Sequence, residues 1–121
     1  MIIKNKHISI AKKVAYQSDI VKARMSAVAL TKNGTVICTA NNRRLQGNYV
    51  DWSMHAEHFL INKLNKIRAF DRYRNITIFV FRISSLGISM AKPCVKCQKI
   101  LSKYPVTIFF TNQDGQIEEM K

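Results

Sequence analysis

Two short segments, His55-Ala56-Glu57 and Pro93-Cys94-Val95-Lys96-Cys97, constrain this chain more than any other feature. Imidazole nitrogen and thiolate sulfur are the donors that a tetrahedral zinc ion takes. His55, Cys94 and Cys97 offer three such donors, and the sequence shows no obvious fourth. Three protein ligands and an opening for water describe a catalytic zinc, whereas a structural site closes with a fourth Cys or His. Two thiolates and a neutral imidazole also balance the ion's charge, so that bound water ionises near neutral pH. A shared ion requires a fold that brings two distant segments together.

The local spacing agrees. Cys94 and Cys97 are three residues apart and share one face on the first turn of a helix. Pro93 suits the start of that helix, where its missing N–H is not needed. A helix N-terminus also stabilises thiolates. Glu57, two residues from His55, is placed to move protons instead of binding metal. By itself, Cys-x-x-Cys also describes a redox pair or half of a zinc ribbon, and His-x-Glu is common by chance. Their combination in this order, with Pro before the first Cys, is not.

With 121 residues, the chain has room for one compact domain, residues 1–121. Its hydrophobic content of 47% suffices for a core. It has no internal repeat and no low-complexity linker. No apolar run reaches membrane-spanning length, and Met1–Ile10 is too short and mixed for a signal peptide. The three cysteines are odd in number, and two are assigned to metal. They argue against a disulfide framework and for a reducing, cytoplasmic location. Cys38, in the apolar run Thr35–Thr39, reads as a buried inert thiol. The net charge is +13, with only seven acidic residues, and nucleic acid is the first partner it suggests. Compositional drift in a chain rich in Ile, Lys and Asn explains Lys in place of Arg more readily than it explains so few acids.

Periodicity predicts a helix over Lys6–Ser18, with Ile10, Ala11, Val14, Ala15 and Ser18 on one face. A loop follows at Asp19–Met25. Ser26–Leu30 and Thr35–Ala40 form a hairpin around Lys32-Asn33-Gly34. Asn41–Met54 reads as a long functional loop. Met54–Phe70 is the first zinc helix, and His58 on it reads as packing or surface. Ile76–Ile83 is a central strand, with Arg82 either at an edge or near the site to meet a phosphate. Ser84–Lys92 is a loop. Pro93–Lys103 is the second zinc helix, with Val95, Ile100 and Leu101 inward and its lysines outward. Val106–Thr111 runs parallel to Ile76–Ile83, and Gln116–Met120 returns antiparallel after an Asn112–Gly115 turn.

The His-x-Glu and Pro-Cys-x-x-Cys motifs resemble the cytidine/deoxycytidylate deaminase superfamily. That superfamily includes the tRNA adenosine deaminases and the nucleic-acid-editing cytosine deaminases. The resemblance implies an α/β domain of three layers, with a five-stranded mixed sheet, about three helices and both zinc helices against one face. It implies hydrolytic attack at C4 of cytosine or C6 of adenine with loss of ammonia. Glu57 carries protons from water to the ring nitrogen and the leaving amine. It also implies an Asn after the second strand that meets the substrate sugar. Asn42 is the better match, through its likeness to the Asn-Arg pair of tRNA adenosine deaminases, and Asn41 is the reserve. Arg43 and Arg44 would meet phosphates. Tyr49 and Trp52 would stack on bases, the alternative for Trp52 being packing beneath the loop. Lys92 stands where many members carry Glu or Ser, and a cation there suits a phosphorylated substrate. Ala56 and Pro93 complete the expected substrate contacts. The antiparallel ending resembles the compact cytidine deaminases, although those enzymes usually place Cys where this chain has His55. The turn after Val106–Thr111 lacks the aromatics with which editing members choose a neighbouring base.

These residues lead to deamination of cytosine to uracil in single-stranded DNA or RNA. One rival is a deaminase of a free nucleotide such as deoxycytidylate. The other is an inactive zinc-supported nucleic-acid-binding module, against which an intact Glu57 argues. Both a monomer and an oligomer stay open.

Overall fold

The computed structural model describes residues 3–18, 24–44, 53–84 and 87–120. Its frame is a mixed sheet of six strands. Strand β1 (Arg24–Leu30) turns through Gly34, at φ +86°, into β2 (Val36–Asn41). Positive φ is the conformation for which the Asn-Gly pair is suited. Two-residue strands β3 (Arg43–Arg44) and β4 (Ser53–Met54) pair with each other. The long β5 (Ile76–Ser84) pairs antiparallel with β1 and with a short β6 (Gly87–Ser89). Strand β7 (Val106–Thr111) lies parallel to β5, and β8 (Ile117–Glu119) antiparallel to β7. The order is β2-β1-β5-β7-β8, with β6 attached to β5. The expected parallel and antiparallel relations of the last strands are therefore present.

Side-chain alternation divides the core in two. Ala27 and Ala29 of β1, Ala40 of β2, and Ile76, Ile78 and Val80 of β5 pack on one face. Val28, Leu30, Phe79, Phe81 and Ile83 pack on the other. Since both faces are covered, β5 reads as a nearly continuous apolar run. Helix α1 (Asn5–Ala15) lays Ala11 and Ala15 on the phenylalanine-bearing face. Helix α2 (Ala56–Lys66) and helix α4 (Val95–Leu101) cover the alanine-bearing face through Ala56, Leu60, Ile61, Leu64 and Leu101. Alanine side chains at 27, 29, 40 and 56 leave α2 room to approach the sheet closely.

His7 fixes the start of α1. Its Nδ1 accepts the Lys4 backbone N–H at 3.0 Å, and its Nε2–H donates to the Gly34 carbonyl at 2.9 Å. That pairing defines the neutral Nε2–H tautomer and ties the helix to the β1–β2 turn.

Several boundaries depart from the sequence reading. Helix α1 ends at Ala15, because Ser18 leaves the helix to donate its hydroxyl to Asn42. The zinc helix expected to run to Phe70 stops at Lys66. Arg68 adopts a left-handed φ of 55°, and the one-turn helix α3 (Ala69–Arg72) follows. That break turns Phe70 to stack on Tyr104, with ring centroids 4.9 Å apart, so a tertiary contact overrides a favourable helical sequence. The second zinc helix begins two residues later than the expected start at Pro93. Cys94 is its N-cap and Val95 its first residue. Cys97 and Leu101, one turn apart, point inward, so Val95 lies about 200° around the helix from Cys97. It is 68% exposed, against the inward placement expected. The two segments expected as loops, Asn41–Met54 and Ser84–Lys92, contain the β3–β4 pair and β6 respectively. Pairing too short to leave a periodic pattern explains why they were missed.

Candidate active site

Both halves of the motif sit at helix starts. His55 is the N-cap of α2, with extended backbone at φ −71° and ψ 151°. Cys94 is the N-cap of α4, at φ −67° and ψ 167°, and Cys97 is the third residue within that helix. Neither helix has a side-chain cap. The Gln98 side-chain amide reaches back to donate to the Pro93 carbonyl at 2.8 Å, which holds the start of α4 against its preceding loop. The positive ends of both helix dipoles are therefore directed at the thiols and at Glu57.

His55 Nδ1 lies 3.2 Å from Cys97 Sγ and 3.7 Å from Cys94 Sγ, and all three donor atoms fall within 4.8 Å of one another. Donors around one tetrahedral zinc, with Zn–N and Zn–S lengths near 2.1 and 2.3 Å, stand roughly 3.5–3.8 Å apart. The donor set and its spacing thus fit zinc. The burial gradient suits an open site: Cys97 is buried, His55 half-buried and Cys94 exposed.

Glu57 lies at the second position of α2 and is 1% exposed. Neither carboxylate oxygen makes a well-formed hydrogen bond. Burial pushes its pKa above the usual carboxylate range, partly offset by its own backbone N–H, by His55 and by Cys97. Burial likewise pushes the Cys97 thiol far up, and the neighbouring Glu57 and Cys94 add to the shift. A buried carboxylate and two thiols crowded together are poorly matched to one another. A divalent cation among them removes the mismatch, which is the second respect in which zinc fits.

Residues 1–111 match the family model for the cytidine and deoxycytidylate deaminase zinc-binding region. The chain belongs to this deaminase family. Among solved structures, the crystal structure of cytidine deaminase from Mycobacterium leprae is similar in fold. The TM-score is 0.62 and the identity 16%, over 97% of this chain and 94% of that one. Comparison with individually curated proteins gives no significant match. Membership makes His55, Cys94 and Cys97 the zinc-binding cluster of a deaminase, with an α/β fold of the cytidine deaminase kind.

The other expected contacts divide. Ala56, fully buried, and Pro93, also buried, lie within the two motifs, while Lys92 is exposed beside Pro93. Asn42 is 4% exposed, and its Oδ1 accepts the Ser18 hydroxyl at 2.7 Å and the Met25 N–H at 2.9 Å. Asn41, 5% exposed, donates its side-chain amide to the Val14 carbonyl at 3.2 Å. Both asparagines thus tie the end of β2 to α1 and β1. The backbones of Arg43 and Arg44 form β3, at the base of the loop that runs to β4. Tyr49 and Trp52, like most of the Asp19–Met25 loop, fall outside the described residues. His58 is half-buried and stands apart from the metal-donor cluster. Lys63, in the last turn of α2, donates to the Thr39 carbonyl at 2.7 Å. The sequence reading passed over Ser89, whose buried hydroxyl has no partner. A single Ser in an irregular segment carries no periodic or motif signal.

Among the described residues no helix is long and apolar enough to cross a membrane.

Proposed function

We propose that the protein hydrolyses the exocyclic amine of cytosine, giving uracil and ammonia, within single-stranded nucleic acid. The observation that carries the deaminase reading is the buried, unpartnered carboxylate of Glu57 beside a three-donor zinc cluster. A binding module has no use for a desolvated carboxylate there. A zinc ion held by His55, Cys94 and Cys97 supplies Lewis-acid activation of water at near-neutral pH. Glu57 takes a proton from the attacking water and passes protons to the ring nitrogen N3 and to the amine, so that ammonia leaves. Lys92, exposed next to Pro93 and Cys94, offers a cation beside the cysteine motif.

Support for a polymeric substrate comes from the net charge of +13, from Lys92, and from Arg43 and Arg44 at the base of the β3–β4 loop. A target base has to leave any stack to enter such a site. A free nucleotide such as deoxycytidylate is the second reading. It is favoured by the antiparallel β7–β8 ending and by the likeness to a cytidine deaminase. Few cysteines and no disulfide suit a reducing, cytoplasmic setting.

The test is to incubate zinc-loaded protein with single-stranded DNA, single-stranded RNA, duplex DNA and dCMP, with a Glu57→Ala control. Conversion of a single-stranded polymer, lost in the control and weakened steeply by salt, is the expected result. Conversion of dCMP alone, with little salt dependence, would transfer the reading to a nucleotide deaminase. Oligonucleotide binding without conversion would leave a zinc-supported binding module.

A further inference from the structure

The alanine-bearing face of the sheet carries an arginine whose buried Nε finds no partner among the described residues. Across the sheet, Ala40, Ala27, Val80 and Phe110 form one row of neighbours on the face that carries α2 and α4. Two residues further along β5, on the same face, stands Arg82. It is flanked by Met25 of β1 and, on the other side, by Ser89 of β6. Arg82 Nε is buried without a hydrogen-bond partner, and so is Ser89 Oγ. Directly opposed residues of an antiparallel pair project to the same side of the sheet, so these two unsatisfied groups are neighbours. Among the described residues Arg82 meets no carboxylate. The β6 side of the pair is held in place. The Thr111 hydroxyl donates to the Ser89 carbonyl at 2.8 Å, and the Ala91 N–H donates to the Thr111 carbonyl at 2.8 Å. Ala91 packs in the same core cluster as Ala56, and Cys94 follows three residues later.

A buried guanidinium N–H and a buried hydroxyl, side by side and unpartnered, form the donor half of a site for an oxyanion. The planar guanidinium fork matches phosphate oxygens, and a hydroxyl adds a donor of adaptable direction. We infer that Arg82 and Ser89 bind a phosphate of the substrate, so that the enzyme takes cytosine in phosphorylated form. The inference rests on the deaminase reading of the His55, Cys94 and Cys97 site and adds to it the residues that hold the substrate's phosphate. The phosphate belongs either to a mononucleotide or to the backbone of a nucleic acid, since both present the same group one sugar away from the base. Arg82 and Ser89 are binding residues here, and no proton transfer is assigned to them.

The test uses zinc-loaded wild type, Arg82→Gln, Arg82→Lys and Ser89→Ala. Each is titrated calorimetrically with inorganic phosphate, deoxycytidine and dCMP, and with a short single-stranded oligonucleotide carrying one cytosine. In wild type, phosphate binds and dCMP is preferred over deoxycytidine. Arg82→Gln is expected to abolish phosphate binding and to shrink the preference for dCMP by about tenfold, the scale of a lost charge-assisted hydrogen bond. Arg82→Lys restores part of it, and Ser89→Ala costs a smaller factor. Loss of oligonucleotide affinity with the dCMP preference intact assigns the site to backbone phosphate and also supports the inference. Equal losses for deoxycytidine and dCMP in Arg82→Gln, or phosphate binding that survives in it, would overturn the inference. Should Arg82→Gln fail to fold, the folded Arg82→Lys and Ser89→Ala proteins still decide, by whether phosphate raises their melting temperatures as much as that of wild type. Absence of any conversion, with phosphate binding lost in Arg82→Gln, would sink the deaminase reading and leave the phosphate site standing.

Discussion

His55 Nδ1 and Cys97 Sγ lie 3.2 Å apart, though 42 positions separate them in sequence. Strand β5 and the whole of α2 intervene. The contact is made because both residues stand at helix starts on the same face of one sheet. Position on the scaffold, more than any flexible loop, sets the distance between the two halves of the site.

Glu57→Gln should remove at least about a hundredfold of the deamination rate, the usual scale for a lost proton-transfer group, while zinc content is retained. Ammonia release and metal analysis measure the two. In chelated protein the same substitution should raise the melting temperature. Its advantage should grow with pH: a carboxyl whose folded pKa is raised favours folding less once pH passes its unfolded value and it must ionise while buried. A Glu57→Gln protein with no such pH-dependent gain would show that the carboxylate is better satisfied than its surroundings indicate.

Thiol alkylation should follow burial and metal. Chelation is expected to make Cys94 the first residue modified, because it alone of the three cysteines is exposed. Cys97 and Cys38 should lag, since burial pushes both thiols up and leaves little thiolate at neutral pH. Their rates should climb with pH. Zinc should protect Cys94 and Cys97 and leave Cys38 as slow as before. Peptide mass spectrometry after timed iodoacetamide treatment reads each site separately.

Asn42→Ala should destabilise the protein by about 1–3 kcal/mol, because it leaves the Met25 N–H without its acceptor and takes from the Ser18 hydroxyl one of its two, the Asn42 backbone carbonyl remaining. Asn42→Asp keeps an oxygen in the same place and should keep most of the stability. Denaturant midpoints distinguish the two. If both variants are equally unstable, the Oδ1 contacts are not what holds the β2 end.

Ala56→Val should cost about 1–3 kcal/mol by overpacking, since Ala56 is fully buried against the alanines of β1 and β2. Because Ala56 sits between His55 and Glu57, zinc affinity should fall as well. A competition titration against a chromophoric chelator measures that loss. Val95→Lys, on the exposed side of α4, should change neither stability nor zinc affinity.

The cluster of His55, Cys94 and Cys97 was legible in the sequence because chemistry restricts both residue type and spacing at such a site. Strands were legible where apolar runs were long: β1 buries its last five residues and β5 its first six. What escaped depends on contacts between distant parts of the chain. The break at Arg68 follows from Phe70 reaching Tyr104, and no residue near 68 announces it. The outward turn of Val95 follows from Cys97 and Leu101 facing the core, which leaves Val95 about 200° around α4 from Cys97. His7 carries no motif or periodic signal. One of its two hydrogen bonds is local, to the Lys4 N–H, and the other depends on a turn 27 residues away.

The central place of β5 also governs when the site can come into being. His55 lies before that strand and the two cysteines after it, and β7, which pairs with β5 in parallel, follows later still. During synthesis, a chain that has emerged only as far as Phe81 carries the histidine and the glutamate but neither thiol of the donor cluster. No amino-terminal fragment short of Cys97 can assemble the three-donor cluster. The metal site is thereby withheld from the nascent chain until Cys97, well beyond the core strand, has left the ribosome.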